Sequence, residues 1–142
     1  MMKLTTQPAE QLLKKFKDAY KNRDIKSMMD LFTEKSNMWG TGIDEYRVGL
    51  KQIAAQLQRD WSQSEKAEME IVSLVATPED ALWAAAVCRA KVTVDGKEHI
   101  FEDLRGTITV ENVNGSWKIL HMHASFPDYR NAENSSFPID NL

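Results

Sequence analysis

Cysteine is almost missing. Cys88 stands alone in 142 residues, so neither an intramolecular disulfide nor a thiolate zinc cluster can hold this chain together. It lies in an apolar run, where a buried, inert thiol is the expected role rather than a nucleophile. Long apolar runs are missing as well: none approaches the roughly 20 residues of a membrane helix. The opening residues, MMKLTTQPAEQ, lack the apolar core of a signal peptide, so the expected compartment is the cytoplasm. Neither sign of charge dominates. The formal net charge is −3, and the basic residues Lys14, Lys15, Lys17 and Lys21 are diluted by Glu10, Asp18 and Asp24. Nucleic acid and membrane are therefore not expected partners. A Gly-rich phosphate loop, a GxSxG elbow and a Cys-His nucleophile pair are all absent, which argues against covalent hydrolysis by serine or cysteine.

What is present divides into a helical half and a strand half. From Thr6 to about Lys21, Ala9, Leu12, Leu13, Phe16, Ala19 and Tyr20 recur at spacings of three and four, one helical stripe with Thr6 as its expected N-cap. Asp24 is placed to cap a second, shorter helix whose buried side is Ile25, Met28, Met29 and Phe32. Ser36–Gly42 reads as a brief strand running into a bend. A third helix is expected from about Glu45 to Trp61, with Asp44 at its N-cap.

After Ser62–Lys66 the helical periodicity stops. Ala67–Thr77, Ala81–Val94, Glu98–Glu111 and Trp117–Pro127 read as strands joined by short turns, of which Asp95-Gly96 is a strong hairpin signal. Such strands form an antiparallel meander, and the three helices must cover its apolar face. The expectation is one α+β domain with its core over residues 6–127. Residues 128–142 are expected to form a polar tail laid on the surface or against a partner. In Trp117–Pro127, strict alternation puts Trp117, Ile119, His121, His123 and Ser125 on one face and Lys118, Leu120, Met122, Ala124 and Phe126 on the other. Imidazoles in such a strand must find partners or line a cavity.

This order of elements, with NMWGTGIDE at Asn37–Glu45, LRGTITV at Leu104–Val110 and SWKILHMHASFP from Ser116, resembles the SnoaL-like branch of the nuclear transport factor 2-like superfamily. The last segment also resembles the end of the association domain of calcium/calmodulin-dependent protein kinase II. The resemblance covers about residues 6–127. It implies a cone-shaped (cystatin-like) curved sheet wrapped around helices, with a pocket between them, and self-association through the outer sheet face, most simply as a homodimer. It implies no single activity, because ketosteroid isomerase, polyketide cyclases, dehydratases and oligomerisation modules share the fold.

Candidate site residues follow from chemistry and from this resemblance. Arg105 shares a face with Asp103, Thr107 and Thr109. Lining the cone, it would hold a carboxylate or enolate oxygen, and the resemblance to the kinase association domain supports that role. Pure alternation instead puts it on the solvent side, unless a bulge near Gly106 reverses the face. His123 is a candidate proton-transfer group, and His121 a sheet anchor. With only His99 besides, a metal site would need carboxylates from elsewhere, so neither metal nor cofactor is expected. Asp44 and Glu45 follow the Gly40–Gly42 bend, where a carboxylate is a candidate acid or base at the pocket mouth, with helix capping as the competing role of Asp44. Trp39, Tyr46, Trp61 and Trp83 are candidate pocket walls that could equally be core. Tyr46 and Asp103 carry chemistry comparable to the tyrosine and aspartates of ketosteroid isomerase. Two functions stay open: a small-molecule pocket for a partly apolar ligand bearing an oxyanion or carboxylate, with cofactor-free isomerisation or dehydration as its reaction class, and an association module with a vestigial or regulatory pocket.

Overall fold

A computed structural model of the chain describes residues 7–142. In order these form α1 (Pro8–Asn22), α2 (Ile25–Met29), β1 (Phe32–Trp39), β2 (Tyr46–Val48), α3 (Gly49–Ser62), β3 (Lys66–Leu74), β4 (Trp83–Val94), β5 (Lys97–Val113) and β6 (Ser116–Ser125), then a short 3-10 turn at Ile139–Asn141. The cap expected at Thr6 falls outside the described residues. The side chain of Gln7 accepts from the Glu10 amide at 2.8 Å, with Pro8 in the first turn, where its missing N–H costs nothing. Ala9, Leu12, Leu13, Phe16 and Ala19 are the buried stripe of α1, as the spacing requires. Asp24 caps α2 through the Ser27 amide and hydroxyl. Phe32, expected on that helix, instead opens β1.

The largest departure is at the third helix. Tyr46-Arg47-Val48 pairs with β1 as a short edge strand, and α3 starts only at Gly49. Gly49 takes φ +81, a conformation that suits a residue without a side chain and turns strand directly into helix. Asp44 therefore caps nothing. The free amide at Val48 is met by the Gln52 side chain at 2.8 Å.

The sheet order is β2-β1-β6-β5-β4-β3. β3 to β6 form the expected antiparallel meander, and β1 lies parallel to β6. The hairpin signals hold: Asp95-Gly96 and Asn114-Gly115 all have positive φ, as tight two-residue turns need. Ser36, fully buried, donates from Oγ to the Ile119 carbonyl at 2.6 Å and so fixes β1 on β6.

Of the register shifts in the sheet, those on β5 and β6 decide which face carries the candidate site residues. On β5, Cys88 faces Leu104 but Ala90 faces Phe101, so one extra residue is accommodated, and Asp103 there has φ +59. On β6, Thr109 faces His121 while Val110 faces Ile119, which leaves Leu120 over. Strict alternation along Trp117–Pro127 therefore fails. Ile119 and Met122 are buried in the core, and His121 and His123 lie with Thr109 and Thr107 on the outer face.

One core holds the layers together. Phe16, Met28, Ile53, Leu57 and Trp61 from the helices pack on Phe32, Ala84, Leu104, Ile108, Val110, Ile119 and Met122 from the sheet. Burying side chains of this size is worth roughly 1.5–3 kcal/mol each. The tail is tied back at Tyr129, whose hydroxyl donates to the Glu102 carbonyl, and is braced within itself by the Arg130–Asp128 pair.

Candidate functional site

The inner face of β4 reads Ala84, Ala86, Cys88, Ala90: four small side chains in a row where a sheet floor usually carries large ones. Leu13 and Phe16 of α1 and Leu57 of α3 line the opposite side of the space so left. A cavity of about 500 Å³ results between helices and sheet. Its walls are apolar, with Met69 and Ile71 from β3, Leu104 and Ile108 from β5, Met122 from β6 and Phe126 just beyond. The Asp103 bulge adds Phe101, since it lets residues three apart on β5 line the same space. Burial pushes the Cys88 thiol pKa up, so this cysteine stays a neutral wall residue.

Polar groups gather at one end. Tyr20, in the last turn of α1, donates from its hydroxyl to Asp60 Oδ2 at 3.0 Å. Gln56 stands one turn before Asp60 on α3. Its Nε2 donates to Asp60 Oδ1 at 2.9 Å and to Glu45 Oε2 at 2.6 Å. The other Glu45 oxygen accepts from the Gly42 amide, so the bend before β2 is closed over this carboxylate. A Cβ at Gly42 would meet the Glu45 carboxylate, so a larger residue there would displace that side chain from its present position. Gln56 is 5% exposed, and its Oε1 accepts no hydrogen bond.

Burial is the main cause of the Asp60 pKa lying above the usual carboxylate value, partly offset by the Gln56 and Tyr20 hydrogen bonds. Burial, then the neighbouring Asp60 charge, drives the Tyr20 phenol well above its ordinary value, so it stays a neutral donor. The result is a buried carboxyl with raised proton affinity, two neutral donors on it, and an unused acceptor beside it.

Most residues singled out from sequence lie elsewhere. Arg105 faces Val87 and Ser125 across the sheet and is exposed on the outer side, away from the cavity lining. The bulge that might have turned it inward exists, but it lies upstream at Asp103 and leaves Arg105 in the outward phase. His123 is exposed between Trp39 and Thr107. His121 holds the Asn37 side-chain oxygen through Nδ1, and its pKa is lowered by burial and then by the charge of His123. Asp44 is solvent-exposed, 4.0 Å from Arg47. Trp83 faces Thr109 on the outer side. Trp61 is core, its ring 6.0 Å from that of Tyr20 behind the polar cluster. Trp39 reaches the cavity rim, and Tyr46 stacks on it at 4.5 Å. Among the described residues, no three His, Cys, Asp or Glu side chains converge as a metal ion would require. No described helix is long and apolar enough to cross a membrane.

Tyr20, Gln56 and Asp60 are not among the residues singled out from sequence, and Glu45 is, but only as a carboxylate near the pocket mouth. The signal was there: a glutamine and an aspartate interrupt the flank of the Ile53–Leu57–Trp61 stripe, and a tyrosine ends the stripe of α1. Polar groups so close to a buried face have to be satisfied somewhere.

Helices laid in a curved, open, mostly antiparallel sheet with a cavity between them define the class: an α+β domain of the cystatin-like, nuclear transport factor 2-like kind. Within it, the chain belongs to the SnoaL-like domain family, whose model matches residues 9–129. Similar solved structures include a protein from Xanthomonas campestris described as a calcium/calmodulin-dependent protein kinase II association domain. It is 20% identical, with 84% of this chain and 86% of that one covered and a TM-score of 0.72. A protein from Novosphingobium aromaticivorans described as an aromatic ring hydroxylase is 19% identical over 89% and 92%, also at 0.72. An LEH-like epoxide hydrolase from M. tuberculosis is 16% identical over 91% and 89%, at 0.69. At these identities the likeness is one of fold. No curated protein sequence matches the chain.

Proposed function

We propose that this SnoaL-like chain is a small-molecule pocket protein. The observation that carries the reading is the apolar cavity of about 500 Å³ with its polar groups gathered at one end. That is the arrangement by which a pocket holds an apolar body and orients one reacting group. The chemistry the polar end supports is cofactor-free proton transfer, the step shared by isomerisation and dehydration. Asp60 is the proton acceptor, made more basic by burial, and Tyr20 is the neutral donor that keeps it in place. Arg105 and His123 take no part in this reading, because they lie on the other side of the sheet. Neither does a carboxylate-bearing ligand, for which Arg105 was the anchor.

A neutral fluorophore such as N-phenylnaphthylamine tests it. The wild-type protein should bind the dye with enhanced emission. Ala90→Phe, which fills the cavity from a wall that is only partly buried, should weaken binding by about tenfold or more while keeping the fold. Equal binding by both proteins would remove the cavity as the site.

A second reading, self-association, has its own observation. Across the outer face run two ladders of facing residues, Tyr46–Trp39–His123–Thr107–Ala85 and Val48–Asn37–His121–Thr109–Trp83. Neither ladder contains a carboxylate, a lysine or an arginine, and Trp39, Tyr46, Val48 and Trp83 are exposed. The charged pairs of the outer face, Arg89 with Glu70 and Glu102, lie beyond them. A charge-free sheet face with exposed aromatic residues suits a second copy of the chain.

A further inference from the structure

We infer that the ligand of this cavity presents a nitrogen that donates hydrogen bonds, in the class of protonated alkyl or aralkyl amines, to Asp60 and Gln56. The inference rests on the pocket reading and narrows it. Among the described residues, three of the four charged side chains lining the cavity are acidic, Glu45, Asp60 and Glu68, of which Glu68 is paired with Lys21 at 3.2 Å. The fourth, Lys17, lies 3.6 Å from Asp18 and its side chain is 37% exposed, so it reaches solvent and its counterion without help from a ligand.

Asp60 and Gln56 have no such outlet. Among the described residues, the Asp60 carboxylate receives donors only from neutral groups, Tyr20 and Gln56, at the distances given above. Burial raises the proton affinity of Asp60 most, and the opposing charge of Arg59 is the smallest of the influences on it, without a hydrogen bond or ion pair to the carboxylate among the described residues. Gln56 supplies the independent sign of a missing partner. Its amide nitrogen is committed to two carboxylates, so its orientation is fixed, and the Oε1 left over is buried and accepts nothing. A buried acceptor without a donor costs free energy until one arrives. Of the two buried side-chain atoms without a partner among the described residues, Gln56 Oε1 belongs to the cavity lining and is an acceptor, whereas the Trp61 indole N–H belongs to a residue outside that lining. An ammonium group, with donors and no acceptor, satisfies that Oε1; a carboxylate repeats the charge already there.

Three competitors with one phenylpropyl body test this: phenylpropylamine, phenylpropanol and phenylpropanoate, each displacing N-phenylnaphthylamine from the wild-type protein, Asp60→Asn and Glu45→Gln. The amine should displace the dye from wild type at a concentration lower than either analogue by about tenfold. That preference should fall to within about twofold in Asp60→Asn, and Glu45→Gln should reduce it in part. If the dye binds and phenylpropanoate competes as well as the amine, the ligand class is wrong while the pocket stands. An amine preference unchanged in both variants likewise overturns the role of this cluster. If the dye does not enter the wild-type protein at all, the pocket reading fails and this inference with it.

Discussion

Tyr20 shows how a single atom links helix packing to site chemistry. Its ring stacks on Phe16 and lies beside Trp61, as a core residue does, and only its hydroxyl meets Asp60. Tyr20→Phe should therefore keep the packing and lose one hydrogen bond, costing about 1 kcal/mol of unfolding free energy. It should also raise the Asp60 pKa further, because the Tyr20 donor lowers it. A carboxyl-carbon NMR titration of wild type and variant checks both the direction and the assignment. The consequence for stability has a definite sign. A carboxyl whose folded pKa lies above its unfolded value binds its proton more tightly when folded. Its contribution is fully present below the unfolded value of 3.8 and is lost as pH rises through the folded one. Asp60→Asn should remove that dependence, seen as a flatter plot of unfolding midpoint against pH over this window.

At the scale of elements, sequence and structure part where a residue is inserted. Periodicity placed α1, α2 and the four-strand meander, because each carries a strong repeat and explicit end signals. Alternation even leaned the right way for Arg105. It could not locate the bulges, since Asp103 and Leu120 look ordinary in a strand; only the pairing of β5 with its neighbours shows one residue too many on each. The same is true of β2. Tyr46-Arg47-Val48 is too short to announce a strand, and it becomes one because β1 offers an edge. The site was harder to read because Tyr20, Glu45, Gln56 and Asp60 come from α1, the bend before β2, and α3, and nothing local says that they meet. The Asp103 bulge makes a prediction. Its φ of +59 is tolerated by aspartate and suits glycine better. Asp103→Gly should be neutral or stabilise by up to about 1 kcal/mol, whereas Asp103→Val, branched at Cβ, should destabilise by about 1–2 kcal/mol. Urea unfolding midpoints distinguish them, and a destabilising glycine would mean that the Asp103 side chain, not its backbone, holds the bulge.

For the whole molecule, the outer face sets the expected assembly and its response to pH. His121 and His123 lie within the uncharged ladders, with Arg105 as the neighbouring cation on the next row. His121 has its pKa lowered from the ordinary 6.5. In a two-fold interface His121 is present twice, so its protonation below that value places like charges on both sides. Sedimentation should show a dimer near pH 8 that weakens progressively below about pH 6.5, and Trp39→Ala should shift it toward monomer at every pH. A monomer at all accessible concentrations and pH values would exclude this face as an interface between copies.

The pairing of β1 with β6 also governs when the protein can become itself. Ser36 and Ile119, joined by a buried hydrogen bond, are 83 residues apart. As the polypeptide leaves the ribosome, β1 and the apolar stripes of α1 and α3 are all made before the strand that completes the middle of the sheet. Closing so long a loop adds little to the equilibrium cost, which grows only with the logarithm of length. The burden falls on time, because folds ruled by distant pairings mature slowly. For that interval β1 has an unfilled edge, open to strands of other nascent chains. The segment that emerges late therefore decides whether the early part is native or sticky, and the vulnerability of this protein lies in its synthesis more than in its finished form.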